Sequence, residues 1–215
     1  MKLIVPTSLS DITLSNYLRY LDELKLVEKN NLSEYYLMTK MLEIFCNLSE
    51  PDAKNIKLSN VIEITSNIKE ILEQKPNLVT FFKVGSLEFG WVPKLDDLSW
   101  GEFLDLNSNI SDWETIYISM AVLYRPVKKK YKGKYLIENY KGDTYHDAIK
   151  QMPMDAVLGA MVFFWTLGME LANSITKHLV AEAKNNPQML NSLESTDGIL
   201  LSMNYLEEIL QSTKQ

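Results

Sequence analysis

Apolar residues recur at three- and four-residue spacing along most of this chain, the mark of amphipathic helices. Residues 1–10 read as a short extended arm. Leu14, Tyr17, Leu18, Leu21 and Leu24 then form a first stripe, capped by Thr13 or Ser10 and broken at Lys29-Asn30-Asn31. Ser33 opens a second, with Leu37, Met38, Met41, Leu42 and Phe45 on one face. Ser49 and Asp52 fit a capping box, and Ser59 caps a third stripe, Val61, Ile64, Thr65, Ile68, Ile71 and Leu72, that stops before Pro76. The pattern changes at Leu78. LVTFFKVGSLEFGWVP is β-branched and aromatic around Gly85-Ser86, which suits a two-residue type II′ turn and a hairpin over 79–92. Ser99 and Glu102 make another capping box, starting a short helix through Phe103 and Leu104. Ser111 caps the next, with Trp113, Ile116, Tyr117, Met120 and Leu123 inward, ending before Arg125-Pro126. A basic segment over 125–134 follows. YLIENY over 135–140 reads as a strand, and residues 134–140 can join the hairpin. Thr144 caps a short helix through Ile149.

The most apolar window is MDAVLGAMVFFWTLGMEL, residues 154–171. Pro153 suits the first turn of a helix, where an amide would go unpaired. Asp155 places a negative charge at the positive end of the helix dipole. A helix apolar on nearly all sides must be surrounded. Lipid is the poorer surround, because a span takes roughly 20 apolar residues and Asp155, Thr166 and Glu170 close the window short of that. Ala156, Gly159 and Ala160 allow close backbone approach; Met161, Phe163, Phe164 and Trp165 supply bulk. The helix continues to Ala183, and a last helix covers 198–211. The expected fold is mainly α with a small β-hairpin element, a compact multi-helix domain around this central apolar helix. The turn at 74–77 divides an N-terminal helical lobe with its short arm, 1–75, from a hairpin plus helical main lobe, 76–215; a single domain is the alternative.

Composition narrows the function classes. A net charge of −6 argues against a whole surface that grips nucleic acid. Cys46 is the only cysteine, so no intrachain disulfide or cysteine-based zinc cage is expected. MKLIVPTSLSD is too short an apolar stretch for a signal peptide, which points to synthesis in a cytoplasm. His146 and His178 are the only histidines. Asp143, His146 and Asp147 fall at a helix start, where acids answer the dipole, and His178 and Glu182 are spaced as a helix-surface pair. Asp96, Asp97, Glu102, Asp105, Asp112 and Glu114 lie among aromatics, as glycosidase carboxylates do, but most suit caps and first turns. No nucleophile elbow or glycine-rich phosphate loop is present. The expectation is therefore a non-enzyme without cofactor or metal.

Two features remain for binding. Arg125, Lys128, Lys129, Lys130, Lys132 and Lys134 form a basic cluster interleaved with Tyr131 and Tyr135. Such a cluster can track a phosphate backbone, meet an acidic subunit, or serve as a solvated loop or edge strand whose lysines block aggregation. Trp91, Trp100, Trp113 and Trp165 suit interface anchors or core.

LSWGEFLDLNSNISDWETIYISMAVLYRPV, GKYLIENYKG and MPMDAVLGAMVFFWTLGMEL resemble proteins encoded among the tail and neck genes of tailed bacteriophages, those of crAss-like and other Bacteroidetes phages in particular. The resemblance covers residues 87–172 and rests on Trp100-Gly101-Glu102-Phe103, the segment MAVLYRP and the core over 159–171. The first 75 residues resemble phage tail assembly chaperones more weakly. The resemblance implies a non-enzymatic virion protein made in the host cytoplasm, a tail or neck ring component. Its implied partners are other phage structural proteins, further copies in a homo-oligomeric ring, and packaged DNA at the basic cluster, with no membrane. A transient assembly chaperone for the tape-measure protein is the alternative.

Overall fold

The computed structural model describes residues 3–185, with side chains through Glu170. Over these residues the chain is mainly helical and carries one small antiparallel sheet of four strands in the order β1-β2-β3-β4. The N-terminal helices are α1 (Leu14–Asn30), α2 (Glu34–Phe45), α3 (Glu50–Lys54) and α4 (Leu58–Leu72). Strands β1 (Phe81–Val84) and β2 (Leu87–Trp91) precede α5 (Trp100–Asn109) and α6 (Ile116–Leu123). Strands β3 (Tyr124–Tyr131) and β4 (Lys134–Ile137) then lead to α7 (His146–Ile149) and α8 (Met154–Asn185).

Polar side chains start several helices where expected. Thr13 Oγ1 accepts from the Asn16 amide at 3.2 Å, Ser33 Oγ from Tyr36 at 3.4 Å and Ser49 Oγ from Asp52 at 3.3 Å. Each takes up one of the donors that a helix start leaves unpaired. Asn31, left-handed at φ 49°, ends α1. Other starts differ from expectation. Ser59 is not a cap: α4 begins at Leu58, and the Lys57 carbonyl takes the Asn60 and Val61 amides. Ser111 does not open α6 either. Asp112 Oδ1 accepts the Glu114 amide at 2.9 Å, and this turn delays the helix to Ile116. Trp113 is left ahead of α6, edge-on to Tyr17 at 4.9 Å. The arm is shorter than ten residues, because Leu9–Asp11 winds into a 3-10 turn under a Ser8/Asp11 capping box and buries Leu9.

That turn anchors the N-terminus to a distant segment. The Leu14 and Ser15 amides, orphan donors of α1, bond the carbonyls of Met152 and Lys150 at 2.9 and 2.7 Å. The Met154 amide returns a bond to Ile12 at 2.8 Å.

The sheet buries one face. Phe82, Phe89, Trp91 and Tyr124 share it, with Phe82 stacked on Phe89 and edge-on to Tyr124. Aromatics on adjacent strands stabilise a sheet beyond the area they bury. On the other face Gly90 is a necessary gap: a methyl there would meet Val127, Phe81 and Tyr135 at 3.0–3.2 Å. The β1–β2 turn has Gly85 at φ 58° while Ser86 keeps a negative φ, the sign pattern of the type II′ turn.

Of the loop and the edge strand open for the basic segment over 125–134, the strand is found: its first residues pair with β2 and the later ones with β4. The strand expected over 135–140 ends at Ile137. The helix from Met154 is present, with Met154, Ala156 and Val157 buried. Phe163, Phe164 and Trp165 are only half-buried, and Thr166 to Gly168 are exposed. The chain divides into two compact units between Gly159 and Ala160, within α8; residues 74–77 fall inside the first. The helix expected over 198–211 and the side chains of His178 and Glu182 lie outside the described residues.

Candidate functional site

The basic cluster is a β-ribbon. At its tip Lys132 and Gly133 are both left-handed, at φ 46° and 77°, as a two-residue type I′ hairpin turn requires. Val127 pairs with Ile137 and Lys129 with Leu136, so Lys128 is an extra, bulged residue. The bulge puts Lys129 opposite Leu136 and Lys130 opposite Tyr135, on alternate faces.

Lys130 is a structural member of this ribbon. Its ammonium lies 2.9 Å from Glu88 and 3.8 Å from the centre of the Phe81 ring. Tyr135 donates to the Trp91 carbonyl at 2.6 Å and packs edge-on against Phe81. Lys128, Lys129, Lys132 and Lys134 are exposed and make no ion pair among the described residues. Beside them Tyr131 is 66% exposed and Leu136 61% exposed. The ribbon therefore offers solvent both cations and apolar surface.

Arg125 belongs elsewhere. It is 8% exposed, its Nε donates to the Val122 carbonyl at 2.9 Å, and its Nη2 is 2.7 Å from Glu102 Oε1. Burial draws its pKa down, and the Glu102 carboxylate opposes that. Glu102 also accepts the Ser99 amide at 2.6 Å through its other oxygen, so one side chain caps α5 and ties it to β3. Tyr140 adds a second tie, donating to Asp105 Oδ2 at 2.9 Å with its ring near the Arg125 guanidinium. Burial and that bond push the Tyr140 hydroxyl pKa up. A third tie is Ser119, which donates to the Leu106 carbonyl at 2.9 Å.

The helix held this way presents an aromatic patch. Trp100 is 72% exposed and stacks on Phe103 at 5.5 Å, with Leu104 exposed alongside. Trp91, by contrast, is buried against Tyr124 and presents nothing to a partner. The structure thus separates the sequence candidates. Lys128, Lys129 and Lys132 share the ribbon with Lys130, which is exposed but engaged by Glu88 and Phe81, Trp100 marks a patch on α5, and Arg125 and Trp91 are buried.

Several of the other chemical candidates have structural uses. Glu114 binds Lys25 at 2.8 Å and Asp97 lies 3.8 Å from Lys94. The His146 ring is edge-on to Tyr117 at 5.0 Å. Among the described residues no group of three His, Cys, Asp or Glu side chains could hold a metal ion, and no helix is long and apolar enough to cross a membrane. Burial raises the Cys46 thiol to about 11, far from the thiolate a nucleophile needs. An open cleft of about 290 Å³ lies beside the outer strand, lined by Val92, Lys94, Leu136 and Glu138 among others.

Sequence reasoning left β3 open between a loop and an edge strand, because a lysine run has low strand propensity. The available signal was Lys132-Gly133 between two tyrosine-containing runs, a turn pair able to take positive φ. No family model matches the chain, and neither a curated protein nor a solved structure matches it.

Proposed function

We propose that this chain is a non-enzymatic virion protein of a tailed bacteriophage, a tail or neck ring component that acts by protein–protein assembly. The phage assignment is supported by the resemblance over residues 87–172. The assembly mode is supported by one observation: α5 presents a stacked Trp100–Phe103 pair to solvent from a helix fixed at its base by Glu102–Arg125. Rigid exposed aromatics are the side chains from which binding hot spots are built, and every candidate catalytic carboxylate that makes a bond here makes a structural one. On this reading the partners are other phage structural proteins and further copies of the chain. It is made in the host cytoplasm and works in the particle. The apolar helix from Met154 is the element around which the domain packs, which the burial of Met154, Ala156 and Val157 favours.

Mass spectrometry of purified particles tests the assignment. The chain should be found at a stoichiometry fitting a ring. Its absence from particles, with recovery on the tape-measure protein from infected cells, would replace the ring by an assembly chaperone.

A further inference from the structure

We propose that the β3–β4 ribbon of one copy docks on the Trp100–Phe103 patch of the next, a head-to-tail contact between identical chains. This deepens the assembly reading by naming the surfaces that meet.

Over residues 95–124 every charged side chain is acidic, and over 125–134 every one is basic. Segments so opposed and adjacent in sequence could neutralise each other within one fold, yet among the described residues they do so only at Arg125 and Glu102. Among the described residues the one further ion pair of these lysines joins Lys130 to Glu88 on β2. Lys128, Lys129, Lys132 and Lys134 are left facing solvent, as is Asp96 beside α5, while Asp97 is exposed at 3.8 Å from Lys94. Opposite charges left open on two parts of one molecule steer copies together and fix their register.

Apolar surface matches in the same way. Tyr131 and Leu136 stand exposed among the lysines, and Trp100, Phe103 and Leu104 stand exposed near the acids. A ribbon made only for a phosphate backbone has no use for an exposed leucine. Against an aromatic patch Leu136 and Tyr131 become buried anchors, while Lys128, Lys129 and Lys132 form the polar rim. Both surfaces are held in shape beforehand, the ribbon by its left-handed Lys132-Gly133 turn and the patch by the Ser99–Glu102 capping box and Arg125. Binding therefore orders little that is not already ordered. Made once between each pair of copies, the contact is heterologous, and repetition gives a ring or an open chain.

Complementation between two defective variants tests this on the full chain. Trp100→Ser/Phe103→Ser removes the patch; Lys128→Glu/Lys129→Glu/Lys132→Glu reverses the ribbon. Sedimentation velocity at low salt should show the wild type self-associating and each variant weakened roughly 30-fold or more, the effect of losing an interface anchor. An equimolar mixture should form one-to-one dimers and nothing larger, since only one intact ribbon and one intact patch remain. Should either variant fail to melt like wild type, Phe103→Ser and Lys129→Glu alone replace them. The proposal is overturned if the wild type stays monomeric, if either variant associates normally, or if the mixture stays monomeric. It is also overturned if a duplex DNA fragment binds the wild type with a salt slope that the lysine reversal flattens while self-association is unaffected. A monomer that is nonetheless found in particles would end this contact and leave the proposed function standing. Head-to-tail association of a chain absent from particles would do the reverse.

Discussion

Gly159→Ala is the most informative single methyl that can be added to this chain. In a solvent-exposed helix interior, alanine in place of glycine stabilises by about 1 kcal/mol. At Gly159 that gain meets an obstacle. A methyl there would lie 2.4 Å from the Asn77 carbonyl oxygen, 3.0 Å from its carbon and 3.2 Å from the Leu78 Cα. All three are backbone atoms, so no side chain can rotate away, and α8 or the 77–78 segment must move by nearly an ångström. Overpacking of this kind costs about 1–3 kcal/mol, and a backbone clash belongs at the upper end. The net expectation is a loss of about 2 kcal/mol. For a chain of this size that lowers Tm by roughly 4–8 °C. Gly168, on the same helix with nothing within 4 Å of an added methyl, is the control. Gly168→Ala should raise Tm by roughly 2–4 °C. Thermal melts followed by circular dichroism read both. If Gly159→Ala melts at or above the wild type, α8 does not lie against Asn77 and the packing described for its first turns is wrong.

Arg125→Met should cost about 3 kcal/mol by urea unfolding, because it strands the Glu102 carboxylate against the protein. Adding Glu102→Gln, which preserves the capping geometry, should recover much of that loss; no recovery would mean the ion pair is not the source of the cost. Asp11→Ala should cost about 1 kcal/mol, as loss of a cap does. The Thr7 amide and hydroxyl hold the Asp11 carboxyl below its usual 3.8. Its contribution is therefore complete above that pH and lost as pH falls through the lowered value, so the wild type and Asp11→Asn should converge in stability in acid. With its thiol at about 11, Cys46 should react with a disulfide reagent at pH 8 only slowly in the native protein and rapidly in urea. Fast native labelling would place Cys46 at the surface. Lys128→Ser/Lys129→Ser/Lys132→Ser should leave the melt unchanged, since exposed lysines outside an ion pair add little stability.

Local signals in this sequence were reliable where one side chain decides the outcome. Thr13, Ser33, Ser49 and Ser99 cap the helices they precede, and Gly85 turns the first hairpin. They failed where a neighbouring acceptor acts first: the Lys57 carbonyl at α4 and the Asp112 carboxylate before α6. The candidate site was legible as composition, not as geometry. Nothing local marks Arg125 as different from the five lysines after it. The difference comes from Glu102, more than twenty residues earlier, and from the pairing of β3 with β2 that sets Arg125 opposite Gly90, on the face where Glu102 meets it. Trp91 and Trp100 are likewise indistinguishable by type; pairing with buried Tyr124 claims the first, and the N-terminal turn of α5 exposes the second. In α8 the apolar run suggested burial all round, but only its first turns are enclosed, and the aromatics over 163–165 remain half-open.

The central claim is that this chain is a particle component working through contacts between copies. A reconstruction of the purified particle's tail and neck, at a resolution that shows side chains, tests it most directly. The account predicts a closed ring of this chain in which Trp100 and Phe103 of each copy face Tyr131 and Leu136 of its neighbour. A tail and neck fully built from other chains would contradict it.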